Sequence, residues 1–397
     1  MPADATHPTN RLFEQSYGAG CAFQTARRGT CAPTLRRKRQ WFAGAIAALA
    51  TLVHAADFEN TPSALGVRLN QIQVVGTHNS YHLEPTEQAK AWRTSALVQR
   101  ELPALAALAV GYSHASLTEQ LERLHVRQLE LDVHLPPASG ADFPVRHLPV
   151  FDERSSVPTL TAGLREIRAW SRTHPRHVPI FVQLELKTLR PLPFPLERIG
   201  DPELRARLAA LPPPREWRED DFAALEGAIR TVFSPEELIT PDSVRGEAPT
   251  LRDAIRTRGW PLLDAVRGRV MFTLDNEGEL RDRYLGAAGD GRGRLLFASV
   301  LAEHPAAGWM KLNDPVRDFA RIEALVRAGF IVRTRADEEL REAKADDVTR
   351  RDRAFASGAQ IVSTDFPEPD RRYSAYAVHL AGDLAAGLNP VSDQSNP

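Results

Sequence analysis

Short apolar runs alternate with helix-like segments along most of the chain after about residue 57. Eight of these runs have the composition of buried strands: 72–77, 127–134, 145–147, 178–186, 269–275, 295–300, 330–335 and 360–365. The helical patterns fall at 96–108 with a restart at Pro103, and at 117–125, 160–173, 222–232, 315–328 and 348–357. Eight strands with intervening helices in 397 residues predict an α/β protein with a (β/α)8 barrel of the TIM type. A doubly wound open sheet is the alternative, but no Gly-rich phosphate loop follows the first strand to support it.

The N-terminal segment has the pattern of a secretory signal peptide. Four consecutive basic residues at 36–39 precede an apolar run at 41–53, and small residues suited to cleavage follow at Ala55 and Ala56. We therefore expect residues 1–56 to be a leader and signal peptide, and the mature protein to be periplasmic or secreted. The apolar run is too short for a convincing membrane span, and no later stretch approaches eighteen apolar residues, so we expect no transmembrane span in the mature chain.

The remainder, 57–397, is expected to form a single catalytic barrel domain. Its segment 190–263 is long and Pro-rich, which predicts an insertion that either covers the site as a lid or covers a helix face. We expect a monomer.

Composition excludes several classes of protein. The chain is 43% hydrophobic and 25% charged, which is ordinary for a globular protein. Residues 1–56 contain seven Lys or Arg against two Asp or Glu, so the whole-chain charge of −1 leaves a charge of −6 on the body. This acidic body argues against nucleic-acid binding. The only cysteines, Cys21 and Cys31, precede the body, so disulfides and thiolate chemistry are excluded from it.

The first predicted strand ends in polar groups. His78 and Asn79 can move a proton, bind a cation or donate a hydrogen bond, as expected at the end of a catalytic strand. Alone, such a pair could simply satisfy loop backbone groups. The functional interpretation therefore depends on the other strand ends.

Acidic residues alternate with apolar residues on two later strands. Because side chains alternate between faces, Glu130 and Asp132 share one face of the second strand, and Glu185 takes the same position on a later strand. Carboxylates that point together into a barrel repel one another unless a cation neutralises them. Each acid could be an ordinary ion-pair partner, but three of them beside Asn79 predict a site for Ca²⁺ or Mg²⁺, which prefer oxygen ligands.

A second imidazole is expected at the same rim. His147 ends the predicted strand 145–147, and two histidines that flank a cation suit phosphoryl transfer, in which one accepts a proton and the other donates one.

Other side chains could contact a substrate. Lys187, Arg333 and Arg335 occupy inward-facing positions, where they could bind phosphate and hydroxyl groups or pair with the site carboxylates. Trp309 and Met310 are interpreted as exposed apolar residues that could touch a lipid surface.

Together these motifs resemble the Ca²⁺-dependent phosphoinositide-specific phospholipases C, including their secreted bacterial branch. The resemblance covers roughly residues 69–376 and rests on THNSY at 77–81, LELD at 129–132, His147, VQLE at 182–185, VRTRAD at 332–337 and SGAQIVSTD at 357–365. The combination of the His-Asn pair with the Glu-x-Asp pair is fairly specific, whereas either alone is weak.

The resemblance implies the chemistry. It implies Ca²⁺ as cofactor, held by Asn79, Glu130, Asp132 and Glu185. It also implies that His78 and His147 are catalytic. The reaction would cleave phosphatidylinositol-type lipids at a membrane surface to diacylglycerol and an inositol (cyclic) phosphate, by attack of the inositol 2-hydroxyl. We assign His78 as base and His147 as acid, although these roles could be exchanged and Glu130 could share the base role.

Two other functions stay open. Glycerophosphodiester phosphodiesterases belong to the same superfamily, but their first motif runs His-Arg rather than His78-Asn79. A secreted barrel that binds an inositol phosphate without turnover could dispense with one histidine, and the presence of both His78 and His147 counts against it.

Overall fold

The computed structural model describes residues 66–392, except Ser139 and Asp383. The expected leader and signal peptide at 1–56 therefore lie outside the described residues. No helix in the described part of the chain is long and apolar enough to cross a membrane.

Parallel strands form the centre of the fold. The strands are β1 (Ile72–Thr77), β2 (Gln128–His134), β3 (Ile180–Lys187), β4 (Leu238–Ile239), β5 (Val270–Leu274), β6 (Phe297–Ala298), β7 (Trp309–Lys311), β8 (Ile331–Arg335), β9 (Ile361–Thr364) and β10 (Gly387–Leu388). Parallel pairing links β5, β3, β2, β1, β9, β8 and β7, and β6 pairs with β5. A parallel bridge between Ser299 and Trp309 joins the end of β6 to β7. Eight strands thus follow one another around a ring in chain order, as the predicted TIM-type barrel requires.

Two short strands lie beside this ring. β4 pairs with the first residues of β5, and β10 runs antiparallel to β1. The segment 190–263 includes β4 and the helices Pro202–Ala209, Glu219–Val232, Pro241–Arg245 and Leu251–Arg258. Its assignment as an insertion stays a prediction.

Helices occupy most of the connections. They are α1 (Glu87–Arg93), α2 (Ala96–Glu101), α3 (Pro103–Ala107), α4 (Leu117–Glu122), α5 (Leu160–Thr173), α6 (Pro202–Ala209), α7 (Glu219–Val232), α8 (Pro241–Arg245), α9 (Leu251–Arg258), α10 (Leu263–Val266), α11 (Gly278–Leu285), α12 (Phe319–Arg327), α13 (Arg341–Ala345) and α14 (Thr349–Ala356). α5 has the predicted bounds. Thr159 caps its N-terminus, where the Thr159 hydroxyl accepts a hydrogen bond from the Ala162 N–H. Short 3-10 helices occur at Leu69–Gln71, Leu196–Arg198 and Pro235–Glu237.

Packing on the outside of the barrel turns the polar residues inward. Leu129 and Leu131 of β2 lie in one buried apolar cluster with Leu164 and Ile167 of α5 and with Leu225 of α7. Each buried leucine contributes about 1.5–3 kcal/mol relative to an exposed one, so a shift of β2 by one residue would be costly. The alternate residues of β2, which include the acids, must therefore face the barrel interior.

Seven of the eight predicted strands are found, and one is wrong. Residues 145–147 do not form a ring strand; Val145 makes only an isolated antiparallel bridge to Val133. Pro144 lacks a backbone N–H, which prevents a regular ladder at this point. The ring strand that the sequence analysis missed is β7, Trp309–Lys311.

The interpretation of Trp309 and Met310 as exposed lipid contacts is also wrong. Both side chains are buried in one large apolar core cluster. Replacing Trp309 with Ala should lower the free energy of unfolding by about 3–5 kcal/mol, because it leaves a large cavity. Urea denaturation measures this loss. Leu301→Ala is the matched control, since Leu301 is 68% exposed and its removal should change stability by less than about 0.5 kcal/mol. Equal stability of the two variants would contradict the core position of Trp309.

Candidate active site

The turn after β1 places His78 and Asn79 beside β2 and β9. The His78 N–H donates to the Thr364 carbonyl at 2.9 Å, and the Ser80 hydroxyl accepts from the Glu130 N–H at 2.8 Å. Asn79 has a φ of 49°, in the left-handed region that Asn tolerates better than most residues. These bonds bring His78 Nε2 to 3.8 Å from Glu130 Oε1.

The three predicted acidic ligands come together. One oxygen from each of Glu130, Asp132 and Glu185 lies within 4.8 Å of the others. The register of β2 and β3 explains this, because Glu130 lies opposite Gln183, and Asp132 lies opposite Glu185. Glu130 and Asp132 are buried and Glu185 is partly exposed. This acid cluster of Glu130, Asp132 and Glu185 lies at the carboxyl end of the barrel strands, where TIM-type barrels carry their active sites.

Positive and polar groups surround the acid cluster. Glu130 Oε2 accepts hydrogen bonds from Arg333 at 2.7 Å and from Gln183 at 3.0 Å. Lys187 Nζ lies 2.8 Å from Asp132 and 2.7 Å from Glu185. Burial alone would lower the pKa of Lys187, but these two carboxylates raise it well above its ordinary value.

The donor set fits a hard divalent cation. Burial raises the pKa of Glu130 to about 7 and raises that of Asp132, so both need more positive charge nearby to stay ionised. Apart from the contact with Lys187, neither oxygen of Asp132 has a well-formed hydrogen bond from the described residues. Oxygen ligands without sulfur are those that Ca²⁺ prefers. Asn79 is buried in the turn after β1, where its side-chain oxygen accepts a hydrogen bond from the Tyr81 hydroxyl at 3.3 Å.

His78 is held by an aspartate that we did not predict as a partner. His78 Nδ1 lies 2.7 Å from Asp365 Oδ1, and the second oxygen of Asp365 accepts from Arg335 at 2.9 Å. Burial and Arg335 lower the pKa of His78 to about 3, so the ring is neutral. Since Nδ1 donates to the carboxylate, Nε2 carries the lone pair and can accept a proton.

His147 lies in a loop and belongs to a second group. Its Nδ1 lies 2.7 Å from Asp152 Oδ2, while Asp152 Oδ1 contacts His82 Nε2 at 2.8 Å. Burial lowers the pKa of His147, and the hydrogen bond with Asp152 opposes this. Although burial opposes it, hydrogen bonds from both histidines hold the pKa of Asp152 below its usual range. The Arg146 N–H donates to the Asp132 carbonyl at 3.2 Å, so the loop that carries His147 runs beside β2.

The other inward-facing groups are fixed in contacts of their own. Arg333 is 1% exposed and also donates to Asn313 at 2.5 Å and to Ser363 at 3.1 Å. Lys311 on the missed strand β7 contacts the Asp275 carboxylate at 2.8 Å. His134 Nε2 lies 2.9 Å from the Arg146 carbonyl, so its ring supports the loop that carries His147.

The chain is similar to proteins of one known family. The sequence model of the family described as phosphoinositide phospholipase C, Ca²⁺-dependent, matches residues 67–143 and 139–390. The chain therefore belongs to the Ca²⁺-dependent phosphoinositide phospholipase C family, whose members are phosphodiesterases. No curated protein matches the chain.

Two solved structures of a Pseudomonas enzyme share the fold. The calcium-dependent phosphoinositol-specific phospholipase C from Pseudomonas sp. matches with a TM-score of 0.52 and 18% identity, over 82% of this chain and 96% of that one. The myo-inositol complex from the same organism gives 0.51 at 18% identity, with the same coverage. The Streptomyces antibioticus enzyme gives 0.49 at 16% identity, over 76% of this chain and 95% of that one.

A buried aspartate behind His78 should make stability depend on pH. Asp337 accepts a 2.9 Å hydrogen bond from the Asp365 N–H, and burial together with Asp365 raises its pKa to about 7. This pKa exceeds the value of about 3.9 that an aspartate has in the unfolded chain, so the folded protein holds the proton more tightly. The folded state is therefore more stable at low pH, and this stabilisation is lost as the pH rises from about 4 to 7.

Asp337→Asn removes this titration. We subtract the free energy of unfolding of the wild type from that of the variant. This difference should be about 1–3 kcal/mol larger at pH 8 than at pH 5. Urea denaturation at both pH values measures the change, with exposed Asp220→Asn as control. A difference that stays constant with pH would show that Asp337 titrates normally.

Proposed function

We propose that the protein cleaves phosphatidylinositol-type lipids at a membrane surface in a Ca²⁺-dependent reaction. The products are diacylglycerol and an inositol (cyclic) phosphate, formed by attack of the inositol 2-hydroxyl. One observation carries this proposal: in a chain of this family, His78 lies beside the acid cluster, His147 follows a residue that is hydrogen-bonded to Asp132, and each imidazole is bonded to its own aspartate. The signal-peptide pattern predicted at 1–56 supports export to the periplasm or outside the cell. We propose that the exported protein is a monomer.

Four residues would hold the cation: Asn79, Glu130, Asp132 and Glu185. When bound, Ca²⁺ would lower the pKa of the attacking hydroxyl and neutralise negative charge on the phosphate oxygens. The protein itself holds these ligand oxygen atoms close together in a largely buried site. The register of β2 and β3 and the apolar packing outside the strands do this.

His78 is suited to accept the hydroxyl proton. It is neutral, its Nε2 is available, and its side chain is 22% exposed, which gives a substrate access. Asp365 stabilises the imidazolium that forms. As the proton moves to Nε2, the inositol oxygen forms a bond to phosphorus. The effective concentration of a neighbouring hydroxyl favours this step.

His147 is suited to protonate the leaving oxygen. The bond from phosphorus to the glycerol oxygen breaks, and that oxygen takes a proton from His147 to give diacylglycerol. Asp152 supports this role in two ways: its carboxylate opposes the lowering of the His147 pKa by burial, and its hydrogen bond fixes the orientation of the ring. A proton thus enters at one histidine and leaves at the other, and hydrolysis of the cyclic product would reverse the two roles.

Basic residues around the acid cluster would receive the anionic head group. Lys187 and Arg335 are partly exposed, at 17% and 11% of their side-chain surface, so a phosphate can reach them. Arg333 is buried in its ion pair with Glu130, so its positive charge would act from behind the site.

The first test is phosphorus-31 NMR of the purified protein with phosphatidylinositol micelles. We expect a cyclic inositol phosphate signal with Ca²⁺ and its loss with a chelator, because the acid cluster needs the cation to act on the phosphate. Release of glycerol phosphate from glycerophosphodiesters, without turnover of the lipid, would contradict this substrate assignment. Absence of both reactions would favour a binding protein.

Replacement of His147 tests whether this histidine acts as the general acid. His147→Ala should lower kcat on phosphatidylinositol by about 10²–10⁴-fold, since it deletes the proton donor to the leaving group. His379→Ala, at an exposed position, is the control and should retain full activity. A substrate with a far more acidic leaving group, such as a nitrophenyl ester of inositol phosphate, should recover much of the loss. Near-full activity of His147→Ala on the lipid would refute the assignment.

A further inference from the structure

The side chain of Lys187 occupies the position between two acids of the cluster. It is the last residue of β3, and its carbonyl accepts a 3.0 Å hydrogen bond from Trp217 Nε1, which fixes the backbone. From there the ammonium reaches Asp132 at 2.8 Å and Glu185 at 2.7 Å. It is therefore the main neutralising group of that carboxylate pair.

An ammonium group and a calcium ion cannot both hold these oxygen atoms. Calcium–oxygen distances are about 2.3–2.6 Å, close to the distances that Lys187 Nζ already makes with Asp132 and Glu185. A cation bound by both acids would lie almost where the nitrogen lies. Two positive charges at such a distance repel strongly in a partly buried site.

Lys187 is also the charged partner best able to move. A lysine ammonium stands on a flexible stem of four carbons, and this side chain is 17% exposed, so it has a route towards solvent. Arg333 also pairs with the acid cluster, but it is 1% exposed and held by Asn313 and Ser363. The arginine is a permanent partner of Glu130, whereas among the described residues the ammonium of Lys187 has no such contacts beyond Asp132 and Glu185.

We propose that Lys187 is a displaceable counter-ion of the metal site, an inference that rests on the proposed function. Without a divalent cation, its ammonium holds Asp132 and Glu185 together. When the cation binds, the ammonium leaves the carboxylates and becomes available to the phosphate of the substrate. Metal binding therefore strengthens substrate binding, and by linkage the substrate strengthens metal binding by the same factor.

Calcium affinity of the purified protein tests this directly. Titration calorimetry with CaCl2 alone compares wild type with Lys187→Met, which keeps the length of the side chain and removes its charge. The variant should bind Ca²⁺ at least about tenfold more tightly, because the cation no longer competes with an ammonium. Lys311→Met is the matched control: it also removes a buried ammonium from the barrel, but one that pairs with Asp275 outside the acid cluster. Its calcium affinity should change by less than about threefold.

The possible results separate the two proposals. If wild type binds Ca²⁺ and Lys187→Met binds it no more tightly, the counter-ion role is wrong and the proposed function stands. If neither protein binds Ca²⁺ at millimolar concentration, the metal site itself is wrong and the inference falls with it.

A second measurement covers the case in which Lys187→Met fails to fold. Crystal structures of the wild-type protein with and without Ca²⁺ should show Nζ within about 3 Å of both acids only in the metal-free form. An ammonium that keeps both contacts beside a bound ion would overturn the proposal.

Discussion

Neutralisation of buried negative charge is the constraint on which the site depends. Asp132 and Glu130 are carboxylates inside a barrel, where an isolated charge costs far more than it does in water. Arg333 permanently neutralises part of this charge, and the mobile ammonium of Lys187 neutralises another part. These partners neutralise part of the buried charge, and the oxygen atoms of the acid cluster still lie close enough together that they could hold a cation.

Much of the fold and of the acid cluster could be predicted because the relevant signals are local. Alternation along a strand decides which residues share a face, so Glu130, Asp132 and Glu185 could be grouped before any coordinates were known. The bounds of β1 and α5 were predicted correctly, since each has a clean apolar pattern and a clear end. The catalytic roles of the site residues stay predictions.

The partners of the two histidines could not be predicted in the same way. Asp152 contacts His147 because the loop folds back on itself through a short bridge between Leu148 and Asp152. No periodic pattern in the sequence predicts such a loop. Asp365 reaches His78 across the barrel seam between β9 and β1. β7 was missed because three residues are too few for alternation to be seen, and its tryptophan was then taken for a surface residue.

The unequal pairing of the ring has a consequence for its motions. β2 and β3 are paired along seven residues, whereas β6 and β7 meet through one bridge between Ser299 and Trp309. Strand separation costs less where fewer backbone hydrogen bonds must break, so amide hydrogen exchange should be faster along that junction than between β2 and β3. The barrel can therefore open locally between β6 and β7 while the strands that carry the acid cluster stay paired.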